Sequence, residues 1–337
     1  MEKNVLHYFV DTNSSRGFVS FWESNFGKLE KVVKLDGYPD LLVTQLVSQA
    51  CAQALGCEQE VELVHNCLDN SLQGIILPGQ KTGLLNLPAY GDESYSLRLT
   101  EDENLSKLGS GSEGLRLLRP GVEDPRRLGR IFISSMDFEA MDELAEETAE
   151  KLFGGQKTDH AGSCADRFFG AATVNGSYDY IPNITQEIPK RYFLKGRPGT
   201  GKSTFLKMLA RAAQDRGYRT EAYHCAFDPN SLDMIAVREL GLCVFDSTAP
   251  HEYFPDRDSD EIIDIYKAAV QPGTDEKYEK EIAGYSAGYK AKVREATGYL
   301  GEAKLAYHQY QKSVLESVNP DRRIGSMDWI IGKLFGR

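Results

Sequence analysis

The stretch Lys195-Gly196-Arg197-Pro198-Gly199-Thr200-Gly201-Lys202-Ser203-Thr204 decides how this chain is read. From Gly196 it fits Gly-x-x-x-x-Gly-Lys-Ser at every fixed position, the pattern of a phosphate-cradling loop. Before it, Arg191-Tyr192-Phe193-Leu194 reads as a short apolar strand. Behind it, Phe205, Leu206, Leu209 and Ala213 recur at helical spacing. Strand, glycine loop and helix in that order are the context the motif needs. Gly199 and Gly201 can take backbone angles closed to other residues, so successive N–H groups can point into one concavity. A helix starting near Lys202 adds the positive end of its dipole. The Lys202 ammonium suits the β- and γ-phosphates, the Ser203 hydroxyl suits Mg²⁺, and Thr204 suits the α-phosphate. The expected nucleotide-binding set is Gly196, Pro198, Gly199, Thr200, Gly201, Lys202, Ser203 and Thr204.

A metal-binding acid is expected at the end of a neighbouring strand. Leu242-Cys243-Val244-Phe245-Asp246 fits, which makes Asp246 the second metal ligand beside Ser203 and, with Lys202, the catalytic pair. Between loop and acid, Thr220–Cys225 reads as a middle strand and Asp228–Asp233 as a turn that opens a helix. Strand, helix, strand, helix, strand is a three-layer α/β pattern. Ser247, not Glu, follows Asp246, so the catalytic base is left unassigned, with His251 and Glu252 nearby in sequence.

The first half carries a faded copy of the second. Gly37 and Gly196 lie 159 positions apart, as do Glu62 and Glu221, His65 and His224, and Asp69 and Asp228. After a one-residue gap, Asn70-Ser71-Leu72 matches Asn230-Ser231-Leu232, Ile75 matches Ile235 and Ala89 matches Ala249. A repeat this long is a duplicated domain rather than a solenoid. In the first copy Leu42 replaces Gly201, Val43 replaces Lys202 and Asn86 replaces Asp246, while Leu84 and Leu85 keep the strand apolar. The expected result is one nucleotide pocket and one that has lost its chemistry. His224 and Asp228 persist in the inactive copy as His65 and Asp69, which favours a structural role for them.

The loop together with Tyr223-His224-Cys225, Asp228–Asp233 and Phe245–His251 resembles a family of uncharacterised bacterial, Firmicutes-type ATPases with two tandem P-loop domains. The resemblance covers nearly the whole chain and is sharpest from about 168 to 300. It implies two tandem P-loop NTPase-like three-layer domains, the first degenerate, and ATP with Mg²⁺. The corresponding boundaries are 1–153 for the degenerate domain, 154–166 for a linker and 167–337 for the P-loop domain. Within the last, a helical arm spans 276–318.

The remaining features bound the function. A formal net charge of -11 argues against nucleic acid as the partner. No apolar run reaches membrane-spanning length and no signal peptide is visible, so a cytoplasmic protein is expected. The six cysteines show no Cys-x-x-Cys pair, which reads as buried free thiols. Residues 136–153 show an amphipathic helical stripe with Ser135 placed to cap it, and Gly109–Ser112 is a further breaker. Residues 276–318 read as a long helix or helical hairpin ending at Asn319-Pro320, followed by an apolar Trp329–Phe335 that docks on the body. No guanine-reading Asn-Lys-x-Asp segment appears, which favours ATP over GTP. Three functions compete: ATP hydrolysis coupled to a conformational change in a protein partner or in the helical arm; phosphoryl transfer to a small molecule; and a non-hydrolysing nucleotide-binding scaffold.

Overall fold

A computed structural model describes residues 4–14, 17–36, 39–87, 128–155, 157–249, 251–317 and 320–336. Gly37, Tyr38 and Ala89 of the repeat, and the breaker Gly109–Ser112, lie outside the described residues. The chain is a mixed α/β protein whose two larger sheets contain parallel pairs. It divides into two compact units. Unit 1 comprises 1–116, 169–183 and 295–337; unit 2 comprises 117–168 and 184–294. Among the described residues, no helix is long and apolar enough to cross a membrane.

In unit 1, β1 (Val5–Phe9), β4 (Lys31–Asp36), β5 (Val61–His65), β6 (Leu72–Leu77) and β7 (Thr82–Leu87) form one sheet in the order β1-β5-β6-β7-β4. β1 and β5 are parallel, as are β4 and β7, and β6 runs against both of its neighbours. β2 (Asp11–Ser14) and β3 (Gly17–Ser20) pair as a hairpin, followed by α1 (Trp22–Phe26). Helix α2 (Asp40–Leu55) buries Val43, Leu46, Val47, Ala50 and Ala54 against the sheet. Positions 43, 46, 47, 50 and 54 lie on one helical face, and each large aliphatic side chain buried there contributes roughly 1.5–3 kcal/mol.

Unit 2 repeats the plan. β8 (Ser163–Arg167), β11 (Lys190–Lys195), β12 (Arg219–His224), β13 (Leu232–Val237), β14 (Leu242–Asp246) and β15 (Glu261–Asp264) form a sheet in the order β15-β11-β14-β13-β12-β8. Only β13 is antiparallel to its neighbours. With β15 set aside, strand order and direction match unit 1 strand for strand. Even the irregularity in the ladder recurs, between Val64 and His65 in one copy and between Tyr223 and His224 in the other. Helix α3 (Phe138–Phe153) packs Met141 and Ala145 into the same core as Phe205, Leu206, Leu209 and Ala213 of α5 (Lys202–Asp215).

Several expectations change. Asp228–Asp233 does not open a helix: Ser231 N–H donates to Asp228 O, and Leu232–Val237 continues as β13. The nine residues between this turn and Gly241, which sits at φ 64, are too few for a stable helix, and Ile235 and Val237 favour a strand. Helix α3 is capped by Asp137, which accepts from Ala140 N–H; the Ser135 hydroxyl donates to Ile131 O instead. The stretch read as a linker, 154–166, runs into β8 from Ser163, and α3 belongs to unit 2. The hairpin of β9 (Gly170–Thr173) and β10 (Gly176–Asp179) belongs to unit 1, although it follows β8 in the chain. After α4 (Ile181–Thr185), α6 (Ile265–Ala269) and α7 (Thr274–Lys277), a single helix α8 (Glu279–Ser317) covers the predicted arm, so its glycines do not break it. Helix α9 (Pro320–Leu334) docks Ile330, Ile331 and Leu334 into the unit 1 core while Trp329 stays exposed. None of the six cysteines forms a disulfide; Cys57 is exposed, and Cys164 and Cys225 are only partly buried.

Candidate functional site

The glycine loop leaves the C-terminal end of β11 and enters α5 as the motif requires. Gly199 and Gly201 both lie in the left-handed region, at φ 86 and 79. Gly201 caps α5 without a side-chain hydrogen bond, so no side chain covers the first N–H groups of the helix. Thr200 is fully buried and donates its hydroxyl to Arg197 O at 2.8 Å, closing the loop on itself. Pro198, Gly199 and Thr204 are exposed. At Gly196 an added Cβ would lie 2.6 Å from the Thr200 hydroxyl oxygen, so this glycine is required for close packing. The Lys202 ammonium folds back to Arg197 O at 3.0 Å and lies 3.5 Å from Asp246 Oδ2. The sequence-predicted lysine and acid therefore do meet. The other oxygen of Asp246 accepts from Thr248 N–H and from the Thr248 hydroxyl, at 3.0 and 2.6 Å. Ser203 Oγ accepts the Leu232 N–H at 2.8 Å, tying the start of α5 to the start of β13.

Two residues absent from the sequence-based set stand beside this pocket. The first is Asp233. The β13–β14 register pairs Met234 with Phe245, which puts Asp233 across the ladder from Asp246. Because β13 runs backwards, its first residues share a sheet edge with the last residues of β11 and β14. The Asp233 carboxyl is pushed up to about 6, first by burial and then by the Asp246 charge, with Lys202 and His251 opposing. It is hydrogen-bonded to Cys225, whose thiol burial pushes well above the usual range. The signal was present in the repeat: at the spacing of Ile75 and Ile235, Asp233 falls on Gln73. The second is Gly129. A Cβ on Gly199 would lie 2.3 Å from Gly129 O, so the backbone of the short helical segment 128–133 lies directly on the loop. No local pattern announces a contact seventy residues away in the chain.

Other nearby candidates are occupied with holding the structure. His224 Nδ1 contacts Pro229 O at 2.7 Å and Nε2 contacts Asp166 Oδ1 at 3.0 Å, bracing the β12–β13 turn. His65 does the same in unit 1, with Nδ1 on Asn70 O at 3.0 Å and Nε2 on His7 Nδ1 at 2.8 Å. Ser247 is fully buried; Lys195 donates to its carbonyl at 2.6 Å, and its hydroxyl donates to Tyr253 O at 2.5 Å. This pins the loop that carries His251 and Glu252.

The equivalent place in unit 1 is built differently. Helix α2 already begins at Asp40, the partner of Gly199, so what is loop in unit 2 is the first helical turn here. Val43, the partner of Lys202, is fully buried in the apolar core. Asp40 places a carboxylate in that first turn, where an anion is favoured by the helix dipole. It is bridged by the buried Lys304 of α8, 2.6 Å from Asp40 and 3.0 Å from Asp69. Asp40, Asp69 and His308 converge closely enough for a cation, and the Lys304 ammonium supplies that charge. Comparison with known families, curated proteins and solved structures found no match to the chain.

Proposed function

We propose that this protein is a cytoplasmic, Mg²⁺-dependent ATPase of the P-loop class, in which unit 2 binds ATP and unit 1 is a degenerate copy. The observation that carries the reading is the loop itself. Two left-handed glycines and a helix start without a side-chain cap stand beside one ammonium group. That set matches a triphosphate tail, which needs many donors and a cation in a small volume. The residues also fit Mg²⁺: a hydroxyl at Ser203 and carboxylates at one sheet edge are the hard oxygen ligands that ion takes, directly or through water. Bound Mg²⁺ would offset charge on the β- and γ-phosphates. Lys202 would leave Arg197 O for the γ-phosphate oxygens, and the loop amides would hold the bridging oxygen. Water attack then forms a bond to the γ-phosphorus as the bond to the β–γ bridging oxygen breaks. ADP leaves, and the proton from water ends on inorganic phosphate or solvent.

Unit 1 supports the same reading by contrast. Lysine, glycine loop and acid are all changed there, and the helix start is filled by Asp40. Coupling of hydrolysis to motion of α8 or of a protein partner, and kinship with tandem P-loop ATPases, belong to this proposal. Calorimetry with ATP and Mg²⁺ tests it. Uptake of one ATP per chain that disappears in Lys202→Ala is expected, with phosphate release in the absence of any acceptor. No uptake of any nucleoside triphosphate would refute it.

A further inference from the structure

The pocket holds two carboxylates and one ammonium group, and they are not equivalent. Asp246 is engaged on both oxygens, one by Thr248 and the other by Lys202. Asp233 forms no salt bridge among the described residues and is bonded to the Cys225 thiol. Its neighbour Leu232 gives its N–H to Ser203 Oγ, so Asp233 follows directly the residue that anchors the expected metal hydroxyl. Two carboxylates balanced by a single lysine repel a triphosphate, and a further positive charge offsets that repulsion.

The duplicated copy adds an independent observation. Where unit 2 has Asp233 and Asp246, unit 1 has Gln73 and Asn86. Both acids have become amides, one of them a methylene longer, and the hydroxyl position is kept as Thr44. Gln73 Nε2 reaches Asn86 O at 3.1 Å, so the two positions do face each other across the ladder. Charge was removed at both places while a polar side chain was kept, which is the change expected when a cation no longer has to be held.

We infer that Asp233 is the carboxylate that holds the divalent cation beside Ser203, and that Asp246 instead positions Lys202. This rests on the nucleotide reading above. The two acids then have separate jobs: removing Asp233 costs metal affinity, and removing Asp246 costs metal-free nucleotide binding through a disordered ammonium.

The test uses the full chain with a fluorescent N-methylanthraniloyl ATP, and Mn²⁺ in place of Mg²⁺. In EDTA, Asp233→Asn should bind the nucleotide more tightly than the unaltered chain, because one repelling charge is gone, while Asp246→Asn binds it more weakly. In the nucleotide complex, Mn²⁺ affinity read by electron paramagnetic resonance should fall about tenfold or more in Asp233→Asn. It should change little in Asp246→Asn, and Asp233→Glu should recover part of it. Mn²⁺ affinity kept within about twofold in Asp233→Asn, or lost only in Asp246→Asn, overturns the assignment. Failure of the unaltered chain to bind nucleotide with Mn²⁺ or Mg²⁺ present defeats the functional reading itself, which is a different result. If Asp233→Asn does not fold, Asp233→Gln carries the test, since glutamine stands in the same place in unit 1.

Discussion

At the scale of single residues, the loop shows how much of a site depends on the absence of a side chain. Gly199 has φ 86 and the Gly129 carbonyl against its open face. Gly199→Ala is expected to cost at least ~1 kcal/mol in urea unfolding, from backbone strain before any clash. Its larger effect is expected on nucleotide uptake, because the amides lose their common direction. Lys202→Ala should abolish uptake with little change in melting temperature, since the ammonium rests only on a loop carbonyl and Asp246. Val43→Lys should not create a second site, because it buries a charge in the unit 1 core and restores neither glycine nor acid. Asp11 offers a separate check on unit 1. Burial pushes its carboxyl up to about 6, opposed by the Gln73 hydrogen bond. A raised carboxyl favours the folded state while protonated, so its contribution is complete below about pH 4 and is lost as pH rises through about 6. Asp11→Asn should therefore stabilise the protein at pH 8 relative to the unaltered chain and change little at pH 4, read by paired thermal melts.

At the scale of elements, the strand–loop–helix unit was legible because its signals are local: four apolar residues, a fixed glycine spacing, then a helical stripe. Strand β13 was misread because its clue is not local. A helix and an antiparallel return strand both satisfy a turn followed by Leu232–Val237, and only pairing with β12 and β14 decides between them. That one choice hid Asp233, since the first residue of a helix after β12 would not have been placed across from Asp246. Helix α8 was legible in extent, but its anchoring was not. Nothing in the spacing of Lys304 marks it as the partner of Asp40 and Asp69, more than two hundred positions away. Removing one member of a buried ion pair costs roughly 3–5 kcal/mol because the other charge stays behind. Lys304→Met should thus destabilise unit 1 by about that amount and raise amide exchange at 295–317, whereas Lys304→Met combined with Asp40→Asn and Asp69→Asn should recover part of the loss.

At the scale of the whole molecule, the duplication is plainer in topology than in residues. Strand order, the reversed third strand, the ladder irregularity and the 3-10 turn at Pro78–Gln80 and Arg238–Leu240 all recur. Sequence matches at offsets of 159 and 160 predicted the copy; they did not predict that contacts would sort β9 and β10 with the first unit. Photolabelling with an azido-ATP should mark peptides from 190–251 and none from 39–55. The interleaved order of segments also constrains how the chain can be made. Unit 2 has all of its residues once Arg294 has been synthesised, but unit 1 lacks Ile330, Ile331 and Leu334 until that later segment has followed. The earlier-translated half is thus the one that matures last, and the apolar face of α2 stays without the cover of Ile330, Ile331 and Leu334 while the later-translated half is already complete.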